Sequence, residues 1–112
     1  MERLLQLFTF YLLQLLPPST NKALQKNMKT TVEISNYPLN ADYERIILDF
    51  IERCQAAGIT VKVNATATHL QGDYDTVLNV VQKEIKTSFE KYGKMIFVVK
   101  VLLGELDLDF SM

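Results

Sequence analysis

The sequence predicts an α+β sandwich, a four-stranded antiparallel sheet with two helices on one face. Three observations predict it. Apolar residues recur at every second position in four short segments and at steps of three and four in two longer ones. Glycine or proline stands at most of the joints. The segments follow one another as strand, helix, strand, strand, helix, strand.

Thr31 to Tyr37 alternates, with Val32 and Ile34 on one side and Glu33, Ser35 and Tyr37 on the other, the two-residue period of a strand that Pro38 ends. Asn40 or Asp42 then caps a helix whose apolar positions Tyr43, Ile46, Ile47, Phe50, Ile51 and Cys54 share one face, and Gly58 stops it. Ile59 to Asn64 and Thr66 to Gln71 are β-branched and alternating, and read as an antiparallel hairpin. Gly72 and Asp73 open the second helix, where Tyr74, Val77, Leu78, Val81, Ile85 and Phe89 share a face and Gln82, Lys83, Lys86 and Glu90 lie largely off it. Gly93 closes that helix, and Met95 to Leu103 is the last strand. Two helices cannot bury their stripes against each other and still cover both sides of a sheet, so both belong on one face. With right-handed crossovers the result is the ferredoxin-like βαββαβ arrangement.

If Val32, Ile34, Ile59, Val61 and Val63 face the helices, then Glu33, Ser35, Tyr37, Thr60, Lys62 and Asn64 face away. The last strand breaks this division. Phe97, Val99 and Val101 can serve the core, yet Ile96 and Val98 on the other parity are also apolar, with Lys100 alone among them. A strand apolar on both sides is expected to be covered on both sides. A second copy of the chain is the expected cover, giving a homodimer or tetramer through the sheet face; the alternative is that residues 1 to 16 fold back over it. The last strand lies beside the first in this topology, so Lys100 and Glu33 are expected to meet across strands.

The domain is expected over residues 28–109, with 1–27 outside it. Leu4 to Leu16 is strongly apolar but, at 13 residues, short of the roughly 20 that span a bilayer as a helix. It is also a poor secretory signal: Glu2 stands beside Arg3, and Gln6 and Gln14 interrupt the run. Ser19 to Lys29 is polar and patternless, and Met28 reads as a natural first residue of the domain. A membrane-associated segment, an upstream extension and a short docked helix remain open for residues 1–27.

Twelve Lys and Arg balance thirteen Asp and Glu, for a net charge of −1 with no basic run, which argues against nucleic acid as a partner. One Cys and one His are too few for a Cys/His zinc site, and the lone Cys54 forms no internal disulfide, which fits the reducing cytoplasm. No catalytic set, metal site or cofactor-binding loop emerges: Cys54 lies on a buried stripe, His69 lies on a different element, and the four glycines stand at element ends. Asp73 and Asp75 read as helix-start acids, and Glu105, Asp107 and Asp109 as a solvated, weakly ordered tail. Asn64, Thr66 and Thr68 are different. They supply an amide and two hydroxyls able to converge on one small polar molecule, with Tyr37 available for ring contact.

VEISNYPL at 32–39, the DY at 42–43, VNATATHLQGDYDTV at 63–77 and FVVKV at 97–101 resemble the YkoF-like thiamine/hydroxymethylpyrimidine-binding family. The resemblance covers about residues 30–108, and the N-x-x-x-T…GDYD stretch is its most specific part. It implies a ferredoxin-like domain that binds thiamine or its pyrimidine moiety without catalysis and works as an assembly or a tandem pair. Within matching motifs it carries over Ser35, Tyr37, Asn64, Thr66 and Thr68. Thr66 and Ala67 stand where Met-Ser is expected in close relatives. On this reading Glu33 accepts from the exocyclic amine, the Asn64, Thr66 and Thr68 group takes ring nitrogens or a hydroxymethyl, and Tyr37 stacks. Two rivals remain: a small hydrolase on the same fold, which needs an anion-binding loop with an arginine, and a structural or regulatory module sensing another metabolite such as an amino acid.

Overall fold

The computed structural model describes residues 5–7, 9, 12 and 28–110. The first group is helical, with Leu5, Leu7 and Leu12 exposed. The expectations for the rest of 1–27 lie outside the described residues. The ordered domain consists of β1 (Lys29–Pro38), α1 (Tyr43–Ala56), β2 (Thr60–Val63), β3 (Thr68–Asp73), α2 (Tyr74–Tyr92) and β4 (Met95–Leu103). The strands form one sheet in the order β2-β3-β1-β4, antiparallel throughout. This is the expected ferredoxin-like sandwich.

Alternation places the core. Val32, Ile34 and Leu70 rise from the sheet to meet Phe50 and Cys54 of α1 and Val77 and Val81 of α2, all buried. Burying one such side chain contributes about 1.5–3 kcal/mol. The chain leaves α1 through Gly58 (φ +79), a left-handed conformation that costs other residues strain. The first-helix cap falls at Asp42, but its carboxylate binds Arg45 at 2.7 Å; Asn40 Oδ1 instead accepts from the Asp42 N–H at 2.8 Å, turning the chain into the helix. Asp73 likewise stands at the start of α2 without capping it, because its carboxylate pairs with Lys29.

The inner face of α2 differs from the expected stripe. Val77 and Val81 are buried as expected, but Glu84 and Ser88 take the next two buried positions and Phe89 is exposed at the sheet edge, its ring against Phe97. The cause is Arg53 on α1. Its guanidinium donates to Glu84 Oε1 at 2.7 Å, to the Glu84 carbonyl at 2.9 Å, to Ser88 Oγ at 2.5 Å and to Asp49 Oδ2 at 3.1 Å. A satisfied ionic network therefore joins the two helices where periodicity predicts an apolar seam. Partial burial pushes the Asp49 pKa up, but hydrogen bonds with Lys91, Arg53 and Tyr92 outweigh it and hold the carboxyl below its ordinary value. Its stabilising contribution is thus present above the unfolded value of 3.8 and fades as pH falls through the lower folded value.

The helix-free face is partly covered by the chain itself. Thr31, 1% exposed, donates to the Gly104 carbonyl at 2.8 Å and accepts from the Leu106 N–H at 3.0 Å and Gln71 Nε2 at 2.9 Å. Gln71 also reaches the Leu106 carbonyl, and Lys62 pairs with Asp109 at 3.6 Å. The tail expected to be weakly ordered therefore crosses one end of the sheet, held through its backbone, while its acids stay exposed. Glu33 and Lys100 are cross-strand partners in register, as expected. At the other end Ile96 and Val98 remain 53% and 48% exposed.

Arg53→Met leaves the Glu84 carboxylate nearly buried without its partner, and is expected to cost about 3 kcal/mol. The double variant Arg53→Met/Glu84→Met is expected to recover most of that loss, as read by urea unfolding.

Candidate functional site

A cavity of about 470 Å³ lies on the helix side of the sheet, between α1, the end of β1 and the β2–β3 turn. Strand length creates it. Ile34 is the last β1 residue paired with β3, opposite Thr68, whereas β1 continues to Pro38 against β4 alone. Beyond Ile34 the sheet is therefore missing its inner neighbours, and the turn 64–67 spans the gap. Ser35 Oγ donates to the Thr66 carbonyl at 3.1 Å and ties that turn to β1. The floor is apolar, from Ile34, Phe50, Ile51 and Ala67, and the rim carries the exposed Tyr37, Tyr43 and Val63. The volume falls within the range of about 300–1,000 Å³ usual for small-molecule sites.

The turn is held by one side chain. Asn64 Oδ1 accepts from the Thr66 N–H at 2.9 Å, the Ala67 N–H at 3.0 Å and the Thr66 hydroxyl at 3.2 Å, while the Asn64 N–H donates to the Ala67 carbonyl at 3.0 Å. The Asn64 carbonyl oxygen is thus committed to shaping the wall, and its Nδ2 is the donor left for a ligand.

Asn36 supplies the polar feature that composition does not reveal. It sits on the helix-facing parity of β1 and lines the cavity. Its Nδ2 and Oδ1 are both shielded from solvent, and neither has a hydrogen-bond partner among the described residues. A buried polar group left unpaired costs about 1–3 kcal/mol. Such an amide is an adjacent donor and acceptor beside the cavity, which a change of side-chain rotamer would present to a ligand.

Of the residues expected to form a site, Tyr37, Asn64, Thr66 and Thr68 line this cavity together. Asn64 was expected on the helix-free face by extending the alternation of β2. That strand ends at Val63, so Asn64 belongs to the turn and bends to the helix side. Thr68 stands opposite Ile34 and is buried on the same side. Ser35 supports the turn from behind without lining the cavity. Glu33 lies on the opposite sheet face, its carboxylate 3.9 Å from His69 Nε2. Asn36 was missed because an asparagine one residue before Tyr37-Pro38 reads as a strand end; the signal available was its parity with Val32 and Ile34.

Arg45 and Arg53 are engaged on α1, with Asp42 and in the helix-helix network, and neither lines the cavity. Cys54 is buried, and desolvation pushes its pKa up to about 12, so it stays a thiol and a packing residue. Among the described residues no group of three or more His, Cys, Asp and Glu could hold a metal ion, and no helix is long and apolar enough to cross a membrane.

A family model described as thiamine-binding protein matches residues 32–103, which takes in the whole cavity wall. No curated protein matches the chain. Among solved structures, a candidate thiamine biosynthesis/salvage protein from Thermotoga maritima superposes with a TM-score of 0.61 at 18% identity, over 66% of this chain and 82% of that one. A Streptococcus pneumoniae protein gives 0.67 at 22% identity, over 73% and 94%. A domain of unknown function from Bacillus cereus gives 0.60 at 24%, over 69% and 77%. At these identities the three structures establish the shared fold.

Asn36→Leu replaces the unpaired amide by an apolar group of similar size in the cavity wall it shares with Phe50 and Ile34. It is expected to raise the stability of the ligand-free protein by about 1 kcal/mol, read as a higher urea midpoint at unchanged slope.

Proposed function

Because the chain belongs to the thiamine-binding protein family, we propose that the cavity between α1 and the β2–β3 turn binds thiamine through its aminopyrimidine ring, without catalysis, to hold or deliver it. The observation that carries this reading is the unpaired Asn36 amide in the cavity wall. An aminopyrimidine presents an exocyclic N–H donor beside a ring-nitrogen acceptor. A carboxamide offers the complementary pair, Oδ1 to accept and Nδ2 to donate, so once the Asn36 side chain turns toward the cavity one ligand edge satisfies both orphan atoms. Free hydroxymethylpyrimidine has the same edge and belongs to the same ligand class.

The remaining groups take secondary roles in this reading. Asn64 Nδ2 and the Thr66 and Thr68 hydroxyls supply polar contacts along the turn, and the Tyr37 and Tyr43 rings flank the mouth. Ser35 keeps the turn in place. Acceptance from the exocyclic amine, the part given to Glu33 on sequence grounds, passes to Asn36, because Glu33 is across the sheet. Residues 28–109 form the binding domain, with 1–27 outside it, and the cytoplasm is the compartment in keeping with a lone buried cysteine.

The hydrolase alternative needs an arginine at an anion-binding loop, and both described arginines are committed on α1. A second copy of the chain is the proposed cover for β4, whose Ile96, Val98, Val101 and Leu103 are half exposed along a free sheet edge.

Titration calorimetry with thiamine and with hydroxymethylpyrimidine is expected to show saturable binding to the folded protein, lost in Asn36→Leu; no heat with either at millimolar concentration sinks the reading. Val98→Glu is expected to convert the assembly to monomers in sedimentation velocity, and an unchanged sedimentation coefficient would refute pairing through this strand.

A further inference from the structure

Resting on the reading above, we propose that the site sorts its ligands by charge: it takes the unphosphorylated aminopyrimidine and refuses the same ring bearing a phosphate ester on its hydroxymethyl group. Among the described residues none that lines the cavity carries a charge; the polar groups in the wall are amides, hydroxyls and backbone. A phosphate monoester held at the cavity gives up part of its hydration and meets no lining cation in return, a net cost for a charge.

The surroundings sharpen the discrimination. Arg45 lies on the first turn of α1, but its guanidinium is held by Asp42 at 2.7 Å and stands over the Tyr92 ring. The α1 N-terminus, with Tyr43 as its first residue, would by itself favour an anion through its dipole. Asp42 already occupies the cap position, and Glu44 stands in the first turn. Glu44 is also within 3.5 Å of the Tyr43 hydroxyl on the rim. Two tyrosine rings therefore stand at the mouth, with a carboxylate beside one of them. That combination repels phosphate and suits a cation such as the thiazolium ring of thiamine. A site of this kind takes its ligand before a phosphoryl-transfer step or after a phosphatase, and releases the phosphorylated product of a kinase.

The test is a calorimetric series on the full chain with hydroxymethylpyrimidine, its monophosphate and thiamine. The monophosphate is expected to bind at least about tenfold more weakly than the free alcohol, a difference of about 1.4 kcal/mol. Ala65→Lys, at an exposed position on the cavity rim, is expected to narrow that gap, read as the ratio of the two affinities in the same variant. Equal or tighter binding of the monophosphate overturns the inference and leaves the parent reading standing. A gap that Ala65→Lys does not narrow also overturns it, since size rather than charge then sets the preference. Failure of both unphosphorylated ligands to bind overturns the parent reading and this inference together.

Discussion

β1 is longer than the hairpin strand it pairs with, and the site depends on that mismatch. Up to Ile34 the strand has neighbours on both sides; from Ser35 to Pro38 it has β4 alone. A sheet that stopped there would expose unpaired backbone and an apolar edge under α1. The chain instead bridges the gap with a short turn folded around the Asn64 side chain and pinned to β1 by Ser35. The bridge closes the wall without filling the space behind it, which leaves a cavity between a rigid sheet and a rigid helix. Asn36 falls on the helix-facing side of the same unpaired stretch, so the register that opens the cavity also delivers an amide to its wall.

The domain gives up stability in two places. The unpaired Asn36 amide is a local cost that an apolar residue would avoid, and it persists at the wall of a cavity, where such strain is expected to serve a ligand. The exposed apolar residues of β4 are a liability on a free edge unless another surface covers them. Among the described residues no other buried side-chain nitrogen or oxygen lacks a partner. Arg53 meets four acceptors between the helices, and the Thr31 hydroxyl uses its donor and two acceptors to anchor the tail. The contrast between those complete networks and the open valences of Asn36 sets the cavity apart from ordinary packing.

Much of the architecture was legible in the residues. Two-residue alternation in Val32-Glu33-Ile34 and the spacing of Ile46, Phe50 and Cys54 specify strand and helix faces directly, and the glycines mark the joints. What escaped was decided by contacts between distant elements. Glu84 and Ser88 look like solvent positions until Arg53 arrives from the other helix. The tail acids look unanchored until Thr31 is seen to hold the backbone between them. Asn64 looks like the next residue of a strand, because alternation carries no marker for where a strand stops; one residue of misplacement put Asn64 on the other side of the sheet. Tyr37, Asn64, Thr66 and Thr68 nevertheless come together, since a turn followed by a strand start keeps them near one another whichever face they serve.

The central claim is that an aminopyrimidine occupies the helix-side cavity against Asn36. Nitrogen-15 correlation spectra of the labelled protein, recorded as hydroxymethylpyrimidine is added, read this residue by residue. The account predicts that the Asn36 side-chain amide resonances move together with the backbone amides of Thr66 and Ala67, while those of Glu33, His69 and Lys100 hold still. Shifts confined to Glu33, His69 and Lys100 would place the ligand on the opposite sheet face and contradict it.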